Sequence, residues 1–189
     1  MLPEFMEHYP KIKVDLKLTN CVSKLDSHQI DIYICHDLAL QNRENFHVEP
    51  LIEIHNHIYA SPTYIEKHGR PKTLKDLTHH NCLTLHCDGT SWDFGDVQIP
   101  ISGNLQTNNT TAAINAALAG IGIISMCSNL INEEIKQKKL IPLFPEHKIR
   151  SRIINAFYPK QKFVPQKTLA FIDYIKQETK KWQCEISFR

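Results

Sequence analysis

Residues 60–71 read ASPTYIEKHGRP, and the pattern of the chain changes at this stretch. Residues 48–60, just before the change, are predicted to form a strand with bends. A serine such as Ser61 can accept hydrogen bonds from the free N–H groups of a helix start, and the fixed φ of Pro62 suits the first helical position. The stretch therefore predicts a helix start and a boundary between two lobes.

Strands and helices alternate on both sides of this boundary. Residues 3–8 resemble the end of a helix, residues 12–18 alternate apolar and charged side chains as in a half-buried strand, and residues 30–35 are apolar enough for an interior strand. Residues 112–119 have a strong helix pattern that Gly120 ends. The other predicted elements are helices at 22–29, 74–79, 128–138 and 165–182, and strands at 82–86, 92–94, 97–101, 104–107, 121–126, 140–144 and 153–158. The pattern indicates a mixed α/β protein.

Composition and charge narrow the possible functions. Hydrophobic residues make up 42% and charged residues 22%, which is typical of a globular rather than a disordered chain. A net charge of only +2 argues against strong binding to a nucleic-acid backbone. The longest apolar stretch, residues 112–126, is too interrupted to span a membrane, and no secretory signal is visible. We expect a folded protein of the cytosol whose six cysteines are reduced thiols.

Several short motifs follow one another in a fixed order. They are FxxxYP at 5–10, IDIYI at 30–34, ASPTYIEKHGRP at 60–71, LKDLxxHxCL at 74–83, ALAGIGI at 117–123, LIPLF at 140–144 and FIDYI at 171–175. No single motif is specific, but the ordered series resembles the effector-binding domain of LysR-type transcriptional regulators from about Leu2 to Lys176. The resemblance implies the two-lobed α/β fold of type 2 periplasmic binding proteins, with a small molecule bound between the lobes.

The resemblance also implies a domain organisation and partners. The first lobe would comprise residues 1–60 and 150–189, and the second lobe residues 61–149. The domain would sense a small metabolite without chemistry and act through homo-oligomerisation. Family members begin with a DNA-binding helix-turn-helix, which has no counterpart in this sequence, and the first strand of the first lobe is missing as well. We therefore expect a truncated chain that does not bind DNA alone.

Candidate effector-binding residues of the second lobe lie at two predicted helix starts. Asn108, Asn109 and Thr110 offer short polar side chains and free N–H groups, an arrangement that attracts carboxylates and favours an anionic effector. Ser61 has the same properties at the earlier helix start. The alternative for both places is ordinary helix capping.

Candidate residues of the first lobe lie at the ends of predicted strands. The resemblance assigns these positions to Thr19, Asn20, Cys21, Cys35 and His36. In open α/β sheets, such strand ends face the ligand. The alternative for His36 is a histidine that simply faces solvent.

Enzymes and metal sites find little support in the sequence. It contains no GxSxG, HExxH or P-loop motif. A zinc site around His79, His80 and Cys82 would also need His86 and Cys87, which point to opposite faces of a strand because they are adjacent. We expect no catalysis, no metal and no cofactor. The rival hypotheses are a stand-alone solute-binding protein and an inactive gene fragment.

Overall fold

Two sheets and a small hairpin organise the part of the chain that the computed structural model describes, which is residues 1–18, 30–36, 43–86 and 88–187. The chain divides into unit 1, residues 1–53 with 152–189, and unit 2, residues 54–151. The lobe boundaries that the sequence suggests near Ser61 and Arg150 stay a prediction. The predicted helix at 22–29 lies outside the described residues.

The sheet of unit 1 has three described strands. They are β1 (Tyr33–His36), β2 (Phe46–Ile54) and β10 (Arg152–Pro159), in the order β1-β10-β2. β1 runs antiparallel to β10, with Tyr33 opposite Phe157. Tyr33, Phe46 and Phe157 form a buried cluster in which the Tyr33 and Phe46 rings meet edge to face at 5.6 Å. The buried cluster packed on this sheet is therefore formed by aromatic side chains.

Two helices accompany this sheet in unit 1, α1 (Leu2–His8) and α5 (Gln166–Ser187). Both were predicted. Phe5 of α1 is fully buried, and its ring lies 4.8 Å from the Phe171 ring of α5. The Tyr174 hydroxyl donates to the Met1 carbonyl at 3.1 Å. The two helices are therefore packed against each other through aromatic contacts.

Two strand predictions in unit 1 are wrong in part. The segment Ile12–Leu18 contains no strand, helix, turn or bend, although burial alternates over its first four residues. A strand needs a hydrogen-bonded neighbour as well as an alternating pattern, and no described strand pairs with this segment. The predicted interior strand at 30–35 is the shorter β1 at the edge of the described sheet, where Ile34 is 47% exposed.

Unit 2 contains a mixed five-stranded sheet with the order β7-β4-β8-β3-β9. The strands are β3 (Asn56–Ala60), β4 (Cys82–Leu85), β7 (Gln106–Thr107), β8 (Ile123–Cys127) and β9 (Ile141–Pro142). β4 is parallel to β7 and β8, whereas β3 is antiparallel to β8 and β9. A separate hairpin joins β5 (Ser91–Asp93) and β6 (Gln98–Pro100). The strands predicted between residues 82 and 144 are thus present, and their ends differ from the prediction by at most two residues.

The helices of unit 2 are α2 (Pro62–His68), α3 (Thr110–Leu118) and α4 (Asn132–Lys136), with 3-10 turns at Leu74–His79 and Ser128–Leu130. Gly120 follows α3 with φ of 76°, a conformation that favours glycine, as predicted for a helix stop. The predicted helix at 128–138 is divided at Ile131, whose φ of −131° is not helical. Among the described residues, no helix is both long enough and apolar enough to cross a bilayer.

The central strand β8 has side chains covered on both faces, and all five of its residues are buried. Ile123 belongs to a cluster with Ile58 and Cys82, whereas Ile124 belongs to a second cluster with Tyr59 and Leu83. Since successive side chains of a strand point to opposite faces, the two clusters are the two faces of one sheet. This double cover explains why the 121–126 region reads as a continuous apolar run.

Candidate functional site

The start of α3 combines a side-chain cap with free backbone donors. Asn109 Oδ1 accepts a hydrogen bond from the Ala112 N–H at 3.0 Å, and the Asn109 N–H donates to Thr107 Oγ1 at 3.0 Å. Asn108 and Asn109 are exposed. The N–H groups of Thr110 and the residue after it lie in the first helical turn, where the helix itself supplies no acceptor. Capping and ligand contact are therefore compatible at this helix start.

Ser61 also caps a helix, but its surroundings differ. Its Oγ accepts a hydrogen bond from the Tyr64 N–H at 3.3 Å, at the start of α2. The side chain is buried, with an exposed fraction of 2%, whereas Asn109 is exposed. The same capping chemistry therefore occurs once inside unit 2 and once at its surface.

The strand register places these two helix starts at opposite ends of the sheet. Ile124 of β8 is paired with Tyr59 of β3 on one side and with Leu83 of β4 on the other. From this pairing, β3 continues to Ser61 in one direction along the sheet. β7 is parallel to β4 and runs in the other direction to Asn108. Ser61 and Asn108 are therefore five residue steps apart along the strand direction. At roughly 3.3 Å per step, this is a separation of about 16 Å. The structure does not bring Ser61 together with residues 108–110.

We name the end of the sheet that holds Asn108 the carboxyl edge, because the parallel strands β4, β7 and β8 all end there. His86 follows β4, and its N–H donates to the Thr107 carbonyl at 3.0 Å, while Ser128 follows β8. His57 of β3 lies opposite Met126, near the same edge. None of these three polar residues is among the effector contacts predicted from the sequence. Their position directly after or beside a buried strand was the available signal.

Electrostatics at the carboxyl edge favour a neutral His57. Burial lowers the pKa of this imidazole below its ordinary value of 6.5, and the positive charge of Lys148 and the nearby His55 lower the pKa further. A neutral imidazole provides one hydrogen-bond donor and one acceptor. His57 is thus suited to polar contact rather than to charge pairing with an anion.

The candidate residues of unit 1 are only partly described. Cys35 and His36 form the end of β1, where Cys35 lies opposite Asn155 and His36 opposite Ile154. Both side chains are half-buried, and Cys35 packs against the aromatic cluster of the sheet. Thr19, Asn20 and Cys21 lie outside the described residues. The predicted grouping of these five residues stays a prediction.

A groove of about 520 Å³ lies in unit 1. Its walls are residues 12–18, residues 30–34, Phe5 of α1, and Lys167, Thr168 and Phe171 of α5. Nζ of Lys167 forms an ion pair with Oδ2 of Asp31 at 2.8 Å. None of the candidate effector residues that the structure describes lines this groove.

The described side chains do not assemble a metal centre. No group of three or more His, Cys, Asp or Glu side chains with suitable placement occurs among residues 1–18, 30–36, 43–86 and 88–182. Of the cysteines that the structure describes, Cys82 is buried and burial raises the pKa of its thiol to about 12. The expectation of no metal and no cofactor stays a prediction.

Similarity to known proteins covers almost the whole chain. A family model for the LysR substrate binding domain matches residues 1–180. The HTH-type transcriptional regulator CrgA of Neisseria meningitidis serogroup B is 28% identical over 185 residues, which is 93% of this chain and 60% of that protein. The HTH-type transcriptional activator TtdR of Escherichia coli K12 is 25% identical over 92% of this chain and 57% of that protein. The chain thus spans about three-fifths of the length of these relatives.

Solved structures show the same fold. The structure of CrgA from Neisseria meningitidis matches with a TM-score of 0.81 and 25% identity, over 94% of this chain and 62% of that one. The full-length structure of the Vibrio cholerae virulence activator AphB matches with a TM-score of 0.80 and 22% identity, over 94% and 62%. The predicted two-lobed α/β fold of periplasmic-binding-protein type is confirmed by these matches. The chain therefore belongs to the family of LysR-type transcriptional regulators, as their substrate-binding domain.

Proposed function

We propose that this chain senses a small metabolite as the effector-binding domain of a LysR-type regulator. The match of the family model to residues 1–180 carries this proposal. The effector would bind in the cleft that this fold family has between its lobes and shift the protein between two conformations, which in turn changes how the regulator assembles. No chemical turnover is part of the proposed function.

The proposed effector contacts in unit 2 are Asn108, Asn109 and Thr110. They are supported by the exposure of both asparagines and by the first-turn N–H groups of α3, a helix of nine residues. Donors at a helix N-terminus bind anions, since the helix dipole adds to the hydrogen bonds. We therefore propose an effector that carries a carboxylate. Ser61 is assigned the role of a helix cap, because it is buried and lies away from this loop.

The proposed effector contacts in unit 1 are those that the resemblance assigns. They are Cys35 and His36 at the end of β1, together with Thr19, Asn20 and Cys21. Support for Cys35 and His36 comes from their position at a strand end. These residues would contribute hydrogen bonds to the part of the metabolite that Asn108–Thr110 does not contact.

The test is a ligand titration with the 189-residue chain and a variant that separates capping from binding. Calorimetry with a panel of small carboxylates, each paired with its neutral amide, should find a compound that saturates and whose amide binds worse. Asn109→Asp should then weaken carboxylate binding by about ten-fold or more, because aspartate caps a helix as well as asparagine but repels an anion. Asn132→Asp at the start of α4 is the matched control and should leave the affinity unchanged.

Two results would contradict this proposal. If no compound in the panel binds to folded protein, effector sensing loses its support. If carboxylates bind but Asn109→Asp and Asn132→Asp behave alike, binding takes place away from α3. A thermal scan of both variants checks that the helix starts remain intact. The unfolding temperature should not fall, because aspartate caps α3 as well as asparagine does and a carboxylate in the first turn of α4 suits the helix dipole.

The activity of the complete regulator is also a proposal. We propose that it binds DNA through a helix-turn-helix domain outside these 189 residues, as a homo-oligomer in the cytoplasm. A gel-shift assay of the 189-residue chain with promoter DNA tests whether DNA binding requires the helix-turn-helix domain. Absence of a specific complex is expected from the net charge of only +2, and a specific complex formed by this chain would refute it.

A further inference from the structure

Trp92 of β5 combines deep burial with an unused hydrogen-bond donor. The residue is 2% exposed and belongs to the apolar cluster of Ile58 and Ile123. Among the described residues, no acceptor lies within hydrogen-bond distance of its Nε1 atom. An indole nitrogen can only donate, and nearly all buried donors in folded proteins have an acceptor. The Trp92 N–H therefore points to a further group that is bound beside it.

Backbone hydrogen bonds show which strand the hairpin β5–β6 covers. At one end of the hairpin, the carbonyl of Ser102, just after β6, accepts a hydrogen bond from the Cys82 N–H of β4 at 2.9 Å. At the other end, the Asp93 carbonyl of β5 accepts from the Arg150 N–H at 2.7 Å. The residue before Arg150 in turn donates to the Asn56 carbonyl of β3 at 3.0 Å. Since β8 lies between β4 and β3, the hairpin crosses over β8.

The strand β8 presents a buried hydroxyl to this hairpin. Trp92 lies between the two attachment points, next to Asp93, and shares its cluster with Ile123 of β8. Because side chains alternate along a strand, Ser125 points to the same face as Ile123. Ser125 is 4% exposed and lies opposite Ile58, another member of the cluster. The Ser125 hydroxyl therefore lies in the interior that the hairpin covers.

A second buried hydroxyl lies on the neighbouring strand β4. Leu83 of β4 is paired with Ile124 of β8. The next residues of these parallel strands, Thr84 and Ser125, are therefore neighbours about 4.8 Å apart across the sheet. Thr84 is 9% exposed and lies on the same face as Cys82, which belongs to the same apolar cluster. Two hydroxyls and one indole N–H thus share one apolar interior.

Water is the ligand that these three groups suit. A water molecule can accept the Trp92 hydrogen and bond to both hydroxyls, and about three hydrogen bonds are usual for an internal water. An ion is disfavoured, because none of the described residues of this cluster carries a charge. A larger polar ligand is disfavoured as well, since the cluster is otherwise hydrophobic and would leave the other polar atoms of that ligand unpaired.

We propose that Trp92, Ser125 and Thr84 bind one internal water molecule, which joins the hairpin β5–β6 to the central strands β8 and β4. The water accepts a hydrogen bond from the Trp92 N–H and bonds to the two hydroxyls. This site does not depend on the proposed function, because it lies under the hairpin and contains none of the proposed effector contacts. Its consequence is that a polar bridge holds the hairpin on the sheet in addition to apolar packing.

The contact with water can be measured in the unsubstituted 189-residue chain, which contains two tryptophans. In nitrogen-15-edited NOE and ROE spectra, the Trp92 indole proton should show a dipolar cross-peak with a long-lived water. Trp182, which is 43% exposed, is the matched control, because surface water exchanges too fast to give such a peak. Trp182→Phe identifies which resonance belongs to Trp92. A crystal structure should show a density peak about 2.7–3.2 Å from Nε1 of Trp92.

Two variants distinguish a bound water from a direct hydroxyl contact. In Ser125→Ala or Thr84→Val alone, the water keeps two partners, so its cross-peak with the Trp92 indole should persist. In the double variant T84V/S125A only the indole still holds the water, and the cross-peak should weaken several-fold.

Three results would overturn the proposal. The first is a crystal structure in which Nε1 of Trp92 contacts a protein acceptor or an aromatic ring and no separate density peak. The second is a folded protein without a water cross-peak at the Trp92 indole. The third is a cross-peak lost in one single variant, which would show that a hydroxyl bonds directly to the indole. The first two results come from the unsubstituted chain, so they stay decisive even if a variant unfolds.

Discussion

The buried hydroxyl of Tyr64 offers a sharp test of how unit 2 is held together. The side chain is only 1% exposed, and its Oη accepts a hydrogen bond from the Asn81 N–H at 3.0 Å. Oη also lies 3.1 Å from Nδ1 of His80. Burial, aided by the neighbouring His68, lowers the pKa of His80, so its imidazole is neutral and Nδ1 can accept the Tyr64 proton. One hydroxyl thus connects α2 to the chain that enters β4.

Tyr64→Phe removes this oxygen and changes little else. The Asn81 N–H would lose its acceptor in a half-buried place, and the hydrogen bond to His80 would be lost as well. An unsatisfied donor costs roughly 1–3 kcal/mol and a lost hydrogen bond about 1 kcal/mol. Both costs are reduced here because water has partial access to Asn81 and His80. We therefore expect the free energy of unfolding to fall by about 2 kcal/mol.

Urea unfolding followed by circular dichroism measures this loss. With a slope of about 2 kcal/mol per molar urea, the midpoint should fall by about 1 M while the slope stays unchanged. Tyr9→Phe is the matched control, because Tyr9 is 38% exposed and its hydroxyl can bond to water. A Tyr64→Phe protein within about 0.5 kcal/mol of the original chain would refute the reasoning.

Three further outcomes follow from the described contacts. Gly103→Ala should destabilise unit 2 by about 3 kcal/mol or more in urea unfolding, because the added Cβ would lie 2.0 Å from the Cys82 carbonyl oxygen; wild-type stability would contradict the packing. Cys82 should react with iodoacetamide only after unfolding, since burial raises its pKa to about 12; rapid labelling of folded protein would argue against this. Stability should decline as pH falls through 6.5, because the unfolded chain binds a proton at His57 more readily than the folded one, and His57→Gln should flatten this decline.

Local features of the fold were predictable from the sequence. Ser61 and Asn109 cap helices, and Gly120 ends one, because capping depends on a few adjacent residues and their backbone angles. The order of strands and helices in unit 2 was also predictable, because hydrophobic periodicity depends on residues that are close in the sequence. The overall fold came from the resemblance, since periodicity alone does not say which strands pair.

The errors concern features that depend on distant residues. Segment 12–18 alternates like a strand but lacks a described partner, and strand pairing is a long-range property. The helix predicted over 128–138 is divided at Ile131, which is fully buried, so packing overrides helix propensity there. The separation of Ser61 from Asn108 follows from the antiparallel direction of β3, which no local pattern reveals.

The full burial of β8 has a practical consequence for detecting ligands. Its amides lie between β3 and β4, so hydrogen exchange at Ile123–Cys127 should require opening of the whole of unit 2. A compound that binds folded unit 2 slows such exchange by a factor that rises with the ratio of its free concentration to its Kd, wherever on this unit it binds. The amides of this one strand can therefore report the binding of an effector to unit 2 without a probe placed at the effector site.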